Sequence, residues 1–95
     1  MSTWDEAKRR LNLSEHGIDF ADLEDFFDGD LLTREDSRAA YGEPRHQSLG
    51  MLHGVVLFVV WTPRGPEGDM PHIISARKAE RHEEQHWARR YRKDR

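Results

Sequence analysis

The 95-residue chain contains no cysteine. Disulfide frameworks and cysteine-ligated metal sites are therefore excluded, and the composition fits a reducing compartment. Long hydrophobic runs are also lacking, because the longest, from Val55 to Trp61, has the length of a strand and cannot cross a bilayer. The first residues do not resemble a secretory signal. These absences predict a single domain over residues 1–95 that is soluble, cytoplasmic and without a membrane partner.

The charges that are present divide unevenly along the chain. Residues 1–43 carry 12 acidic and 5 basic side chains, residues 44–95 carry 6 acidic and 10 basic ones, and the net charge is −3. A basic half can meet RNA phosphates, and an acidic half can meet a basic protein. The alternative is that both halves are ordinary solvated surfaces.

Helical signals begin near the N-terminus. Thr3 and Glu6 have the spacing of a capping box, which predicts a first helix over about residues 5–13 with Leu11 and Leu13 among its apolar positions. The remaining pattern predicts a second helix over residues 19–27 and strands over 31–35, 45–51, 55–61 and 72–76. A last helix is predicted from Arg77, and its basic tail, from Arg89, is expected to fray.

The order of these elements indicates an α+β fold. The run from 55 to 61 is apolar on both faces, which places it centrally in a sheet. Short connections after Gly42 favour antiparallel pairing. The expected architecture has N-terminal helices packed on a small antiparallel sheet of three to four strands, followed by a C-terminal helix.

A zinc motif is present near the C-terminus. The run from His82 to His86 matches H-E-x-x-H, in which two histidines one helical turn apart share a metal and Glu83 acts as a base. Only Asp94, among the nine residues that follow, could supply a further ligand. The alternative is a solvated amphipathic helix with Glu83 or Trp87 on its inner face. We therefore predict no metal and no cofactor.

The basic half also holds residues suited to RNA cleavage without a metal. In that reaction a base takes the proton of the ribose 2′-OH, cations stabilise the charge on the attacked phosphate, and an acid protonates the leaving oxygen. The candidate catalytic residues are Arg64, Arg77, His16 and Glu83, with His72 as another proton carrier, and the candidate RNA-binding residues are Arg45, Lys78 and Tyr41.

Each candidate has a simpler structural explanation. Arg77 can pair with Glu80 or Glu83 on the same helix, and Arg45 can bridge to Glu43. His16 can interact with the carbonyl end of a helix, whereas Arg64 and Lys78 can be solvated. Tyr41 and Trp61 can stack on bases, although core packing is the better interpretation for Trp61.

Taken in order, many residues match a known family pattern. The matching residues are Trp4, Asp5, Lys8, Asn12, His16, Gly17, Ile18, Phe20, Phe27, Asp28, Asp36, Tyr41, Gly42, Glu43, Arg45, Gly50, Val59, Val60, Trp61, Arg64, the run 73–77, Ala79 and Glu83. With these residues the chain resembles the BrnT toxins of BrnT/BrnA type II toxin–antitoxin systems over nearly its whole length. Departures from the pattern occur at Glu15, Trp61, His72 and Trp87, and two of them, Glu15 and His72, remove positive charge.

The resemblance implies a RelE-like fold with a short strand before the first helix, supplied by residues 2–4. It implies a metal-independent endoribonuclease that stops translation and is neutralised by a BrnA-like antitoxin. The toxin would then reach operator DNA only through the antitoxin. The alternative is a catalytically weak or inactive binding module that holds the antitoxin and tunes repression.

Overall fold

A five-stranded sheet forms the centre of the protein, whose computed structural model describes residues 1–36 and 42–91. The elements are β1 (Thr3–Trp4), α1 (Glu6–His16), a 3-10 turn (Phe20–Asp22), α2 (Glu24–Phe27), β2 (Leu32–Asp36), β3 (Arg45–Leu52), β4 (Val55–Arg64), β5 (Met70–Lys78) and α3 (Arg81–Tyr91). Within the described ranges, no helix has the length and apolarity that a membrane crossing requires.

The strand order is β1-β5-β4-β3-β2. The strands β2 to β5 pair antiparallel, whereas β1 pairs parallel with β5. The α+β class is therefore confirmed, but the expected antiparallel sheet of three to four strands was wrong. The additional strand is β1, which is only two residues long and becomes a strand because it pairs with β5. The resemblance implied a strand at this position.

The central position predicted for the apolar run is confirmed. β4 lies between β5 and β3 and extends to Arg64, beyond the predicted end at residue 61. It follows β3 through a tight turn in which His53 has φ 50° and Gly54 has φ 83°. Two consecutive positive φ values are typical of the turn whose twist matches paired antiparallel strands.

One face of the sheet, which we call the covered face, packs under the N-terminal segments. Leu57, Val59, Ile73 and Ala76 of β4 and β5 form a buried cluster there with Phe20, Leu23 and Phe26. The second helix, predicted to be continuous over residues 19–27, consists instead of the 3-10 turn and the short α2. Phe20 and Phe26 are nevertheless buried and Phe27 is partly buried against the same cluster, as their spacing indicated.

The first helix differs from its prediction both in its cap and in the residues that it buries. Asp5, rather than Thr3, caps it, because Asp5 Oδ1 accepts a hydrogen bond from the amide of Ala7 while Thr3 belongs to β1. Leu11 and Leu13 are exposed, and Asn12 is the buried residue of the helix. The helix therefore docks through a polar side chain rather than through an apolar stripe.

The opposite face, which we call the open face, is partly covered by α3. Trp87 packs on Leu49 and Val56, its indole donates to the carbonyl of Asp30 at 3.1 Å, and the Tyr91 hydroxyl donates to that of Leu31 at 2.6 Å. The helix begins at Arg81 rather than Arg77 and continues past residue 89 to Tyr91. Residues 92–95 of the predicted fraying tail lie outside the described ranges.

Candidate functional site

The part of the open face that α3 leaves uncovered forms a polar depression of about 410 Å³. Side chains alternate between the two faces along a strand, so residues two apart on β2 and β3 point into the same space. The charged and amide side chains that line the depression are Arg34, Asp36, Arg45, Gln47, Arg77 and Glu83. Three guanidinium groups and two carboxylates thus share one open surface.

Two side chains fix Arg77 within the depression. Its two terminal nitrogens donate to the two oxygens of Glu83 at 2.9 and 3.0 Å, and its guanidinium carbon lies 4.1 Å from the centre of the Phe58 ring. The main cause of the lowered pKa of Glu83 is its hydrogen bond from Arg77, and the same bond raises the pKa of Arg77. Glu83 is therefore ionised at neutral pH and holds the guanidinium in one orientation.

Arg34 is oriented by a chain of hydrogen bonds across β2 and β3. Its Nε donates to Gln47 Oε1 at 2.7 Å, and Gln47 Nε2 donates to Asp36 Oδ2 at 3.2 Å. Gln47 and Asp36 are each 9% exposed. Asp36 accepts from the amide nitrogen, which directs the amide oxygen towards Arg34. Within residues 1–36 and 42–91, the terminal nitrogens of Arg34 have no hydrogen-bond partner.

A β-bulge shapes the floor of the depression. Val60 pairs with Ser75 and Trp61 pairs with Ile73, so β5 carries one extra residue at Ile74. Both Ile74 and Ser75 line the depression as a result. Bulges commonly redirect side chains beside functional sites, and this one adds the Ser75 hydroxyl to the surface near Arg77.

The H-E-x-x-H run contributes a carboxylate to the depression. Besides bonding Arg77, Glu83 Oε1 accepts from the backbone amide of Glu80 at 2.7 Å at the start of α3. The ligand atoms of Glu80, His82 and Glu83 lie within 4.8 Å of one another, but this group, of which Glu83 is partly buried, omits His86. The group therefore lacks the two histidines, one helical turn apart, that a zinc site of this motif requires.

Arg64 lies at the other end of the sheet from Arg77. It pairs with Glu43 through two bonds of 2.8 and 3.3 Å, and the main cause of the lowered pKa of Glu43 is this contact. Arg64 lies six positions along β4 from Phe58, the register partner of Arg77, which corresponds to roughly 20 Å along the strand. His72 is near Arg64 and accepts or donates a 2.8 Å hydrogen bond with the Thr3 hydroxyl. Burial lowers the pKa of His72, and Arg64 contributes in the same direction.

The other predicted residues lie outside the depression or outside the described ranges. His16 ends α1 and is exposed. Lys78 is the exposed last residue of β5 and pairs with Leu57, so alternation directs it to the covered face. Tyr41 falls in the segment 37–41, outside the described residues. The structure thus brings together Arg45, Arg77 and Glu83, and it does not bring Arg64, His16 or Lys78 to them.

A sequence model of the family described as the ribonuclease toxin BrnT of type II toxin–antitoxin systems matches residues 4–83. The chain belongs to the BrnT family. A 1.1 Å crystal structure of the Brucella abortus ribonuclease toxin BrnT is similar, with 32% sequence identity, a TM-score of 0.64, and coverage of 84% of this chain and 96% of that one. A search among curated proteins finds no match. Family membership supports ribonuclease activity and an antitoxin partner, as the resemblance indicated.

Sequence reasoning gave no role to Arg34, Gln47 or Ser75. The sequence could have indicated two of them, because Arg34 lies two residues before Asp36 and Gln47 lies two residues after Arg45. Period-two alternation places the two residues of each strand on one face of that strand, and the register between β2 and β3 then brings the two pairs together. Ser75 reaches the depression only because of the bulge, for which the sequence carried no signal.

Proposed function

We propose that this BrnT-family protein is a metal-independent endoribonuclease and that RNA is cleaved in the open-face depression. The observation that carries the proposal is the convergence of Arg77, Arg45 and Arg34 on one exposed surface. Guanidinium groups suit the planar, charged phosphate, and their fixed positions favour the extra charge of the transition state. Cleavage of RNA would inhibit translation in the cytoplasm.

The residues of the depression divide into two roles. We assign phosphate binding to Arg77 and Arg45. Glu83 is ionised at neutral pH, so it suits the base that accepts the 2′-OH proton better than the acid that protonates the leaving oxygen. Arg64 lies too far along β4 for the same phosphate, and we assign it a contact with RNA beyond the cleavage site. We propose no role at the scissile bond for His16 or Lys78, whereas base stacking by Tyr41 stays a prediction.

The partner that we propose is a BrnA-like antitoxin, through which the toxin would be held at operator DNA. Type II membership supports a protein antitoxin. The RelE-like assignment rests on the same resemblance, and the helices that precede a sheet with an open face are consistent with it.

The test is cleavage of purified single-stranded RNA in EDTA. Wild-type protein should cleave, and Arg77→Ala should lose at least about 100-fold in rate, as when one fixed donor to a transition-state oxyanion is removed. Arg10→Ala is the charge-matched control, because Arg10 is exposed on α1 and bonds only Glu6 among its described contacts. Equal rates for Arg77→Ala and wild type would contradict the assignment, and loss of cleavage in EDTA would contradict metal independence.

One contact favours the alternative of an inactive binding module. Both terminal nitrogens of Arg77 are already occupied by Glu83, so the cation is partly neutralised before RNA arrives. That module would bind the antitoxin tightly, would cleave no RNA, and would not arrest growth on expression. Growth arrest that disappears with Arg77→Ala would instead support the enzyme.

A further inference from the structure

A second concavity, the α3 groove, adjoins the arginine depression. It has a volume of about 220 Å³ and lies between the β2–β3 ladder and α3. Leu32, Leu49 and Phe58 give it an apolar base, while His82 and His86 line it from the helix. The groove is therefore neither purely apolar nor purely polar.

The groove and the depression are continuous. Four residues line both of them: Arg34, Gln47, Phe58 and Glu83. A phosphate held by the arginines would consequently have the α3 groove directly beside it. In a nucleotide, the base likewise lies beside its own phosphate.

We propose that the α3 groove binds a nucleobase next to the phosphate held by Arg77 and Arg45, an inference that rests on the proposed function. Its chemistry fits a base in two respects. The apolar side chains can contact the flat ring face. The rings of His82 and His86 carry both donors and acceptors for the base edge. Arg34 lines both concavities, so its guanidinium can hold the phosphate to which that base is joined.

The H-E-x-x-H sequence gains a physical explanation from this arrangement. Residues four apart on a helix lie on the same side, so His82 and His86 both point towards the groove. Glu83 lies between them in sequence and holds Arg77. The motif thus joins two base-contacting histidines to the residue that orients a phosphate-binding arginine, without a metal.

The test measures equilibrium binding, so it does not depend on cleavage. A short single-stranded RNA with 2′-deoxyribose at the mapped cleavage position cannot undergo attack, and a set of such RNAs replaces one base at a time by an abasic position. If no cleavage is found, the 2′-deoxy position is omitted and the intact RNA is scanned. Wild-type protein should lose at least about tenfold in affinity at one abasic position.

The double variant His82→Ala/His86→Ala should bind every RNA of the set with nearly equal affinity. Both histidines are exposed and alanine favours helix, so the fold should be retained. Gln85→Ala is the matched control, since Gln85 is exposed on the same helix and lines a different surface beside Val56. A control variant that behaves as wild type would confirm that the effect belongs to the groove.

Three outcomes would overturn the inference: no RNA binding, an affinity that is the same at every abasic position, or an abasic effect that the double variant retains. Failure of the proposed function is distinguishable, because it appears as absent cleavage or as cleavage indifferent to Arg77→Ala. Base-dependent binding without cleavage would support the α3 groove and favour the inactive module.

Discussion

The side chain of Asn12 bonds the backbone of Ala76 in both directions. Asn12 Nδ2 donates to the Ala76 carbonyl at 2.9 Å, and Asn12 Oδ1 accepts from the Ala76 amide at 3.0 Å. β1 covers β5 only opposite His72 and Ile73, so Ala76 lies beyond the end of its parallel neighbour. One amide side chain thus replaces a strand residue at the sheet edge, immediately before Arg77.

Replacing Asn12 by leucine should destabilise the protein by about 3 kcal/mol. The substitution leaves three buried or partly buried backbone groups without their partner, because Asn12 Nδ2 also donates to the carbonyl of Ile18. Urea unfolding would measure the change. Ser14→Leu, at an exposed position of the same helix, should change stability by no more than about 0.5 kcal/mol. Equal stability of the two variants would show that the edge contact contributes little.

Arg34 should bind one phosphate of the RNA. Its Nε is occupied by Gln47, and its side chain lines the depression. When a protein that binds single-stranded RNA neutralises one phosphate fewer, the slope of log affinity against log salt becomes shallower by about 0.7. Arg34→Ala should therefore show that decrease for any RNA sequence, measured by binding titrations at several salt concentrations.

Gln47→Met separates the orientation of Arg34 from its charge. Methionine is similar in length but cannot accept from Arg34 or donate to Asp36, so binding should weaken while Arg34 remains charged. Arg10→Ala should leave the salt dependence as in wild type. A slope for Arg34→Ala equal to that of wild type would mean that Arg34 does not touch phosphate.

The open-face site was only partly predictable because it depends on strand register. Arg45, Arg77 and Glu83 were recognised as residue types suited to phosphate chemistry, and they do lie together. Arg34 joins them because it pairs in register with Gln47. That register depends on contacts between strands, which residue types alone do not specify. Arg64 was grouped with them for its charge, although strand length separates it.

The burial of the helical residues was also only partly predictable from the sequence. Periodicity placed the aromatic residues of the 3-10 turn and α2 in the core, since burial of large rings dominates there. It failed for α1, whose leucines are exposed while Asn12 is buried. A polar residue that completes a sheet edge has no periodic signature, because its partner is 64 residues away.

The pair of Glu83 and Arg77 should make stability depend on pH in a defined range. The pKa of Glu83 is lowered from 4.5, so the stability it contributes is fully present above pH 4.5 and is lost as the pH falls through the lowered value. Glu83→Gln should be less stable than wild type at pH 7, and the difference in unfolding free energy, measured in urea, should shrink as the solution is acidified below pH 4.5. Glu84→Gln, at the exposed neighbouring position, should show no such trend. A difference for Glu83→Gln that stays constant down to about pH 3 would indicate that the charge of Glu83 does not stabilise the fold.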